Sequence, residues 1–323
     1  MTYAPPFTVS SRSINLVAEI TGELAKYPFD SRKVNPNLRR INRIKSIHSS
    51  LAIEGNTLTM DQVTDIIDGK RVLGNPREIL EVKNALSAYD LMEGLDPFEL
   101  DCLLKAHGVM MDGIIDDAGS LRRTGVGVYS GTRLVHMAPP YDRVPELIAD
   151  LMQWARDSED HPLIKSCVFH YEFEFIHPFS DGNGRTGRLW HTLILSKWNE
   201  QMASVPVESM VRRHQEEYYN AISRSTADGD SGAFIEFMLG VILEAVRNTA
   251  VANSVDTIRG INDTERRLLH LIEGGEFSTA DEAALLMGVS KRTVERSLAS
   301  LRNKGLIARE GSDKSGHWKI LAP

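Results

Sequence analysis

"HPFSDGNGRTGR", His177 to Arg188, is the stretch on which the reading of this 323-residue chain turns. Gly182-Asn183-Gly184 follows an apolar segment and opens a new helical pattern. Glycines at such a place let the backbone approach a ligand and turn N–H groups toward it. A helix that begins there adds its positive N-terminus. Arg185 and Arg188 are three residues apart and share a face of that helix. Backbone donors and two cations together make a cradle for more than one phosphate group. Asp181 supplies a hard oxygen suited to Mg²⁺ held between phosphates. His177 is the one group of the run that takes up a proton near neutral pH, and Pro178-Phe179 after it would stiffen its backbone. Taken singly, each feature has an ordinary role: a histidine before proline, a solvated arginine pair, a turn. In this order they point to a nucleotide, its metal ion and a base that activates a hydroxyl.

Most of the surrounding chain has helical period. Ile14, Leu16, Val17, Ile20 and Leu24 keep one face over residues 11–27, and Leu38, Ile41, Ile44, Ile47 and Leu51 do so from Pro36 to Ala52. The spacing predicts further helices over 76–94, 97–112, 144–157, 162–176, 184–200 and 212–250, with Pro145 at a first-turn position. "FHYEFEF" (169–175) reads as the buried helix that supports His177, with Phe173 and Phe175 in the core. "VGVYSGTRLVHM" (126–137) alternates instead, and predicts a β-hairpin about Ser130-Gly131. A polar stretch at 250–263 ends in an N-cap expected at Asp263. Three helices and two short strands follow, the order of a winged helix-turn-helix. Its basic helix carries Lys291, Arg292, Arg296, Arg302 and Lys304 against Glu295, with Val289, Val294, Leu298, Leu301 and Leu306 as core.

The central run resembles the signature HPFxDGNGRxxR of the Fic family, matching at His177, Pro178, Phe179, Asp181, Gly182, Asn183, Gly184, Arg185 and Arg188. The resemblance implies a mainly α protein: a Fic-type helical core with a β-hairpin flap, to which the chain adds its C-terminal winged helix-turn-helix. It implies transfer of AMP from ATP to a Ser, Thr or Tyr hydroxyl of a protein, the chain itself included, with release of diphosphate. On that basis His177 is the general base and Asp181 holds Mg²⁺. Gly182, Asn183 and Gly184 form the anion hole, Arg185 helps hold the phosphates, and Arg188 meets the γ-phosphate. Family members that act as kinases carry lysine in place of the second glycine, so Gly184 favours AMP transfer. The hairpin, with Val126, Val128, Tyr129, Leu134 and Val135, takes the place of the flap that clamps a target segment by main-chain pairing.

"SSLAIEGNTLT" (49–59) puts Glu54 at a helix C-terminus, where the dipole disfavours an acid. By itself such a glutamate reads as solvated. Ser50, Glu54 and Gly55 also match the [S/T]xxxE[G/N] pattern of N-terminally inhibited Fic proteins. The resemblance implies that Glu54 pairs with Arg188 and takes the room of the γ-phosphate. Some relatives use this glutamate to remove AMP from the target, a second role open to Glu54.

The totals set limits. A net charge of -7 excludes a generic nucleic-acid binder, so any DNA contact must be local to the basic helix. Cys102 and Cys167 have no metal spacing and read as buried thiols of a reducing cytosol. His107 and His170 lack partners at metal spacing, and Met110-Met111 reads as core. No apolar stretch is long enough for a bilayer, and a cytoplasmic location is the expectation. The expected division is 1–95, an N-terminal helical region with the inhibitory helix; 96–250, the catalytic core; and 263–323, the winged helix. The partners expected are a protein substrate, DNA or protein at the winged helix, and a second copy of the chain in a homodimer, with no membrane. A reading of a different class stands beside the enzyme: a DNA-binding regulator whose core senses a nucleotide.

Overall fold

A computed structural model describes residues 3–26, 36–130, 133–257, 261–275, 277, 279–311 and 316–321. The chain divides into two compact units, 1–245 and 246–323.

The first unit is built from helices: α1 (Ser11–Lys26), α2 (Pro36–Ile53), α3 (Met60–Ile67), α4 (Pro76–Leu91) and α5 (Leu100–Met110). The hairpin β1 (Gly127–Ser130) and β2 (Arg133–Met137) comes next. Then follow α6 (Val144–Asp157), α7 (Pro162–Ile176), α8 (Asn183–Trp198), α9 (Val207–Arg213), α10 (Gln215–Asp228) and α11 (Gly232–Thr257), the last of which runs past residue 245. Local chemistry sets many of the starts. Thr59 and Gln62 form a capping box before α3, Asn75 caps α4 ahead of Pro76, and the His161 ring accepts from the Leu163 N–H ahead of Pro162.

α7 is the central helix. Leu163, Cys167, Val168, Phe169, His170 and Phe173 are fully buried, so it is packed all round rather than on one stripe. It packs on α8, where Leu189, Trp190 and Leu193 are equally buried. The Trp190 indole donates to Pro97 O at 2.8 Å, which satisfies the one polar atom that this large side chain takes inside. α2 lies against α4, α8 and α9. This arrangement sets the end of α2 beside the start of α8.

Several expectations need correction. The pattern from 212 to 250 is interrupted, because the helix breaks at His214 and again between Gly229 and Ser231. α3 was not foreseen, since its eight residues are too few to show a period. Residues 97–112 shorten to α5, and 92–94 tighten into a 3-10 turn. Phe175 and Cys102 are half-buried rather than core, while Cys167 is fully buried. The two strands pair antiparallel, Gly127 with Met137 and Ser130 with Arg133, and a register shift leaves Val135 outside the pairs. Gly131 of the expected turn lies outside the described residues, as does Tyr27 of the first expected helix.

The second unit holds α12 (Asp263–Gly274), α13 (Ala280–Met287), α14 (Lys291–Asn303) and an antiparallel pair, β3 (Ile307–Glu310) with β4 (His317–Ile320). The cap of α12 is Asn262, not Asp263: its side chain accepts from the Glu265 N–H while Glu265 reaches back to the Asn262 N–H. Leu268, Leu269, Ala283, Val294 and Leu301 form a fully buried core, with Val289 and Leu306 packed partly buried against it. The expected turn between the strands, 312–315, lies outside the described residues. No helix among the described residues is long and apolar enough to cross a membrane.

Candidate active site

His177 ends α7 in the left-handed conformation, with φ 51 and ψ 63. Among the described residues it is the one non-glycine with positive φ. Such a backbone costs roughly 1–3 kcal/mol and persists only where surroundings enforce it. Pro178 disfavours the helical conformation for His177, so α7 stops here. The His177 N–H still donates to Phe173 O at 2.9 Å, and the His177 carbonyl accepts from Arg122 Nε at 2.7 Å. His177 Nδ1 lies 3.3 Å from Glu174 O. A carbonyl only accepts, so Nδ1 donates and Nε2 carries the ring's lone pair.

The loop after it is held from inside. Asn183 Oδ1 accepts from the Phe179 N–H and its Nδ2 donates to Phe179 O, both at 2.9 Å. The Asn183 side chain is thus a staple of the loop, and only its main chain faces the cradle. His107 stacks on Phe179 with ring centroids 3.6 Å apart. Its Nδ1 accepts from the Gly119 N–H, and its Nε2 donates to Asp181 O at 3.0 Å. Burial pushes the His107 pKa down to about 4, which keeps that donor–acceptor arrangement at neutral pH. Gly182 has φ 82, and a Cβ on it would come within 2.6 Å of Met111 Sδ. Met111 therefore shapes the loop rather than merely filling the core.

Each motif arginine is met by a carboxylate from the N-terminal region. Arg188, 3% exposed, donates from Nη2 to Glu54 Oε1 at 2.7 Å, from Nε to Ser50 Oγ at 3.1 Å and from Nη2 to Ser50 O at 3.0 Å. Burial opposes its charge, and the Glu54 carboxylate outweighs that opposition and raises its pKa. A Cβ on Gly184 would collide with Glu54 Oε1 and with Arg188 Nη1. The Glu54 carboxylate therefore lies against the first turn of α8, where an anion is favoured by free N–H groups and the helix dipole. Gly55 completes the turn that aims Glu54, its N–H bonded to Ala52 O.

Arg185, 5% exposed as a side chain, lies 3.3 Å from Glu81 Oε1 and 3.2 Å from Asp181 Oδ1. Its Nε is buried without a partner. Glu81 also accepts from Asn56 Nδ2 at 2.9 Å, so the turn behind Glu54 is tied to Arg185 through one carboxylate. Asp181 Oδ1 accepts from the Gly182 N–H at 2.6 Å, and the side chain is about half exposed. Beneath the cradle, Glu174 is buried between Arg188, His170 and His177, and burial raises its pKa to about 7.

The structure thus brings His177, Asp181, Gly182, Asn183, Gly184, Arg185 and Arg188 together with Ser50, Glu54 and Gly55. Val126, at the foot of the hairpin, is half-buried. The backbone of Val128, Tyr129, Leu134 and Val135 is described, but their side chains lie outside the described residues. Glu81, Arg122 and Glu174 escaped the sequence reading, because each acts on residues far away along the chain. A cavity of about 780 Å³ lined by Arg43, Tyr89, Thr192 and Lys197 does not contain the motif. In the second unit Lys291 pairs with Asp281 and Lys304 with Glu265, while Arg292, Arg296 and Arg302 stay exposed.

The comparisons with known proteins bear on the family. The family model described as the Fic/DOC family matches residues 97–195. Protein adenylyltransferase fic-1 of Caenorhabditis briggsae is 27% identical over 255 residues, covering 71% of this chain and 47% of that protein. Protein adenylyltransferase Fic of Culex quinquefasciatus is 30% identical over 208 residues, covering 60% of this chain and 39% of that protein. The chain thus spans less than half the length of these curated relatives. Among solved structures, a Fic family protein from Desulfovibrio desulfuricans G20 is 44% identical, with 99% of both chains covered and a TM-score of 0.75. Fic-1 from C. elegans (residues 134–508) shares the fold at 21% identity, with 73% of this chain and 71% of that chain covered and a TM-score of 0.58. With full-length coverage at that identity to the Desulfovibrio protein, the chain belongs to the Fic family.

Proposed function

We propose that the chain is a protein adenylyltransferase that transfers AMP from ATP to a Ser, Thr or Tyr hydroxyl of a protein, itself included, and is held inactive by Glu54. The observation that carries this reading is the 2.7 Å contact of Glu54 with Arg188 over the start of α8. A carboxylate there stands in for a phosphate, so the site that holds it is built for anions.

In the reaction, His177 Nε2 takes the proton of the target hydroxyl. The oxygen attacks the α-phosphorus, a new O–P bond forms, and the bond to the bridging oxygen breaks as diphosphate leaves. The N–H groups at the start of α8, with Arg185 and Arg188, meet the charge on the phosphates. Arg185 must exchange Glu81 and Asp181 for phosphate oxygens, and Arg188 must exchange Glu54. Asp181 fits Mg²⁺: one half-exposed carboxylate beside a phosphate cradle suits an ion that shares its ligands with a nucleotide. When bound, the ion neutralises phosphate charge. The hairpin offers main-chain pairing to the target segment. This reading assigns the brake to 1–95 and chemistry to 96–250, and leaves 263–323 a separate role, for which the exposed Arg292, Arg296 and Arg302 support local contact with DNA phosphates.

The test is a gel assay with α-³²P-labelled ATP and Mg²⁺ on wild type, Glu54→Gly, and Glu54→Gly with His177→Ala. Strong label on the second protein, little on the first and none on the third is expected. Label that survives loss of His177 would remove the assigned base, and no label on any protein, even with cell lysate added, would overturn AMP transfer.

A further inference from the structure

Arg122 is 2% exposed, and its guanidinium is spent on main-chain carbonyls. Nε donates to His177 O at 2.7 Å and Nη1 to Thr124 O at 2.9 Å. Nη2 donates to Pro139 O at 2.6 Å and to Ile176 O at 3.3 Å. Its own N–H donates to Pro178 O at 2.9 Å. Burial is the one cause that moves its pKa, and it lowers it. The compensating charge comes from the negative end of α7, whose last carbonyls it caps.

These four carbonyls belong to two structures. Ile176 and His177 are the end of α7. Thr124 and Pro139 flank the hairpin, one before β1 and one after β2. The planar guanidinium fork therefore ties both feet of the hairpin to the strained backbone that aims the His177 ring. A lysine has no such fork and meets fewer carbonyls from a single point. An ordinary buried arginine would be matched with a carboxylate, and a simple helix cap would need only the α7 carbonyls. Neither role explains the bonds to Thr124 and Pro139.

We propose that Arg122 is a positioning residue that fixes the hairpin and His177 as one body, so that a segment paired with the hairpin presents its hydroxyl in register with the base. The proposal rests on the reading of His177 as the base and of the hairpin as the docking edge. It concerns target delivery and not nucleotide binding: the hydrogen bonds of Arg122 go to His177, Thr124, Pro139, Ile176 and Pro178 and to none of Gly182, Asn183, Gly184, Arg185 or Arg188.

The test places Arg122→Met and Arg122→Lys in the full chain carrying Glu54→Gly. The acceptor probe is a second copy carrying His177→Ala, which takes label without donating it. Transfer to that copy is expected to fall roughly 100-fold with Arg122→Met, since a small misplacement of reacting groups costs about that much. Arg122→Lys is expected to recover part of it. KM for ATP stays unchanged in both. Hydrogen exchange at the main-chain amides of 127–130 and 133–137 is expected to quicken in both variants, while α8 keeps its protection. A merely structural role would lower thermal stability, ATP binding and α8 protection together, and that result overturns the proposal. Unchanged hairpin exchange overturns it as well. If Arg122→Met does not fold, Arg122→Lys is judged by the same measurements. If the Glu54→Gly parent transfers no label, the adenylyltransferase reading fails, and hairpin exchange alone decides whether Arg122 ties the two structures together.

Discussion

Replacing Glu54 separates two ways in which a carboxylate can close this site. The charged contact is one hydrogen bond from Arg188 Nη2 at 2.7 Å, with Arg188 3% exposed and the Glu54 side chain 34% exposed. The two Arg188 bonds to Ser50 do not involve the Glu54 side chain, so only the Glu54 contact and the space it fills are at stake. A hydrogen bond to a charged group contributes roughly 1.5–3 kcal/mol, and a neutral one about half as much. At about 1.4 kcal/mol per tenfold, Glu54→Gly should raise the initial rate of AMP transfer roughly 10- to 150-fold. Glu54→Gln keeps the shape and an acceptor for the charged guanidinium but removes the ion pair, so it should raise the rate by less than Glu54→Gly. The assay is label incorporation at saturating ATP, with thermal unfolding as a control on folding. A Glu54→Gln rate equal to wild type beside a fast Glu54→Gly would make the block one of space alone and refute the electrostatic part. Equal rates for all three would refute the whole argument.

Glu174 gives a pH signature: burial raises its pKa to about 7 from 4.5, so stability is full at low pH and falls as the pH rises between those values. Glu174→Gln should therefore raise stability by roughly 3 kcal/mol above about pH 7 and by almost nothing near pH 4, measured by urea unfolding at both. Gly182→Ala should cost roughly 1–3 kcal/mol for its φ of 82, and more where Met111 must move; melting temperature and ATP binding should fall together. Leu301→Ala, at a fully buried position of the second unit, should cost about 2–5 kcal/mol there and speed amide exchange in α12–α14 while α7 and α8 stay protected.

The legible parts of the molecule were those written in adjacent residues. α6 and α7 start and stop where proline, apolar period and the next proline put them. The proposed anion cradle is twelve consecutive residues, so the residue types that would bind phosphate stand side by side in the sequence. Glu54 was different: alone it is one acid at a helix end, and only its spacing from Ser50 and Gly55 made it more. Arg122 left no trace, since its side chain binds carbonyls as far as 55 residues away and a carbonyl has no residue type. Glu81 was hidden in the same way, 104 residues from Arg185. The cap at Asn262, by contrast, lies in adjacent residues. Asn-Asp-Thr-Glu carries the capping-box spacing, and the neighbouring aspartate drew the assignment one position too far.

Under the proposed function, the Glu54 carboxylate at the head of α8 is a tethered ligand for the cradle. Its effective concentration is set by the chain between α2 and α8, not by how much protein is present. Dilution cannot release it, and crowding cannot supply it. Whatever relieves the contact must compete at the cradle itself or change the seat of α2. Under the proposed function, the same tether would make the contact reversible without synthesis or breakdown of any inhibitor, since the competing anion is a side chain of the molecule itself.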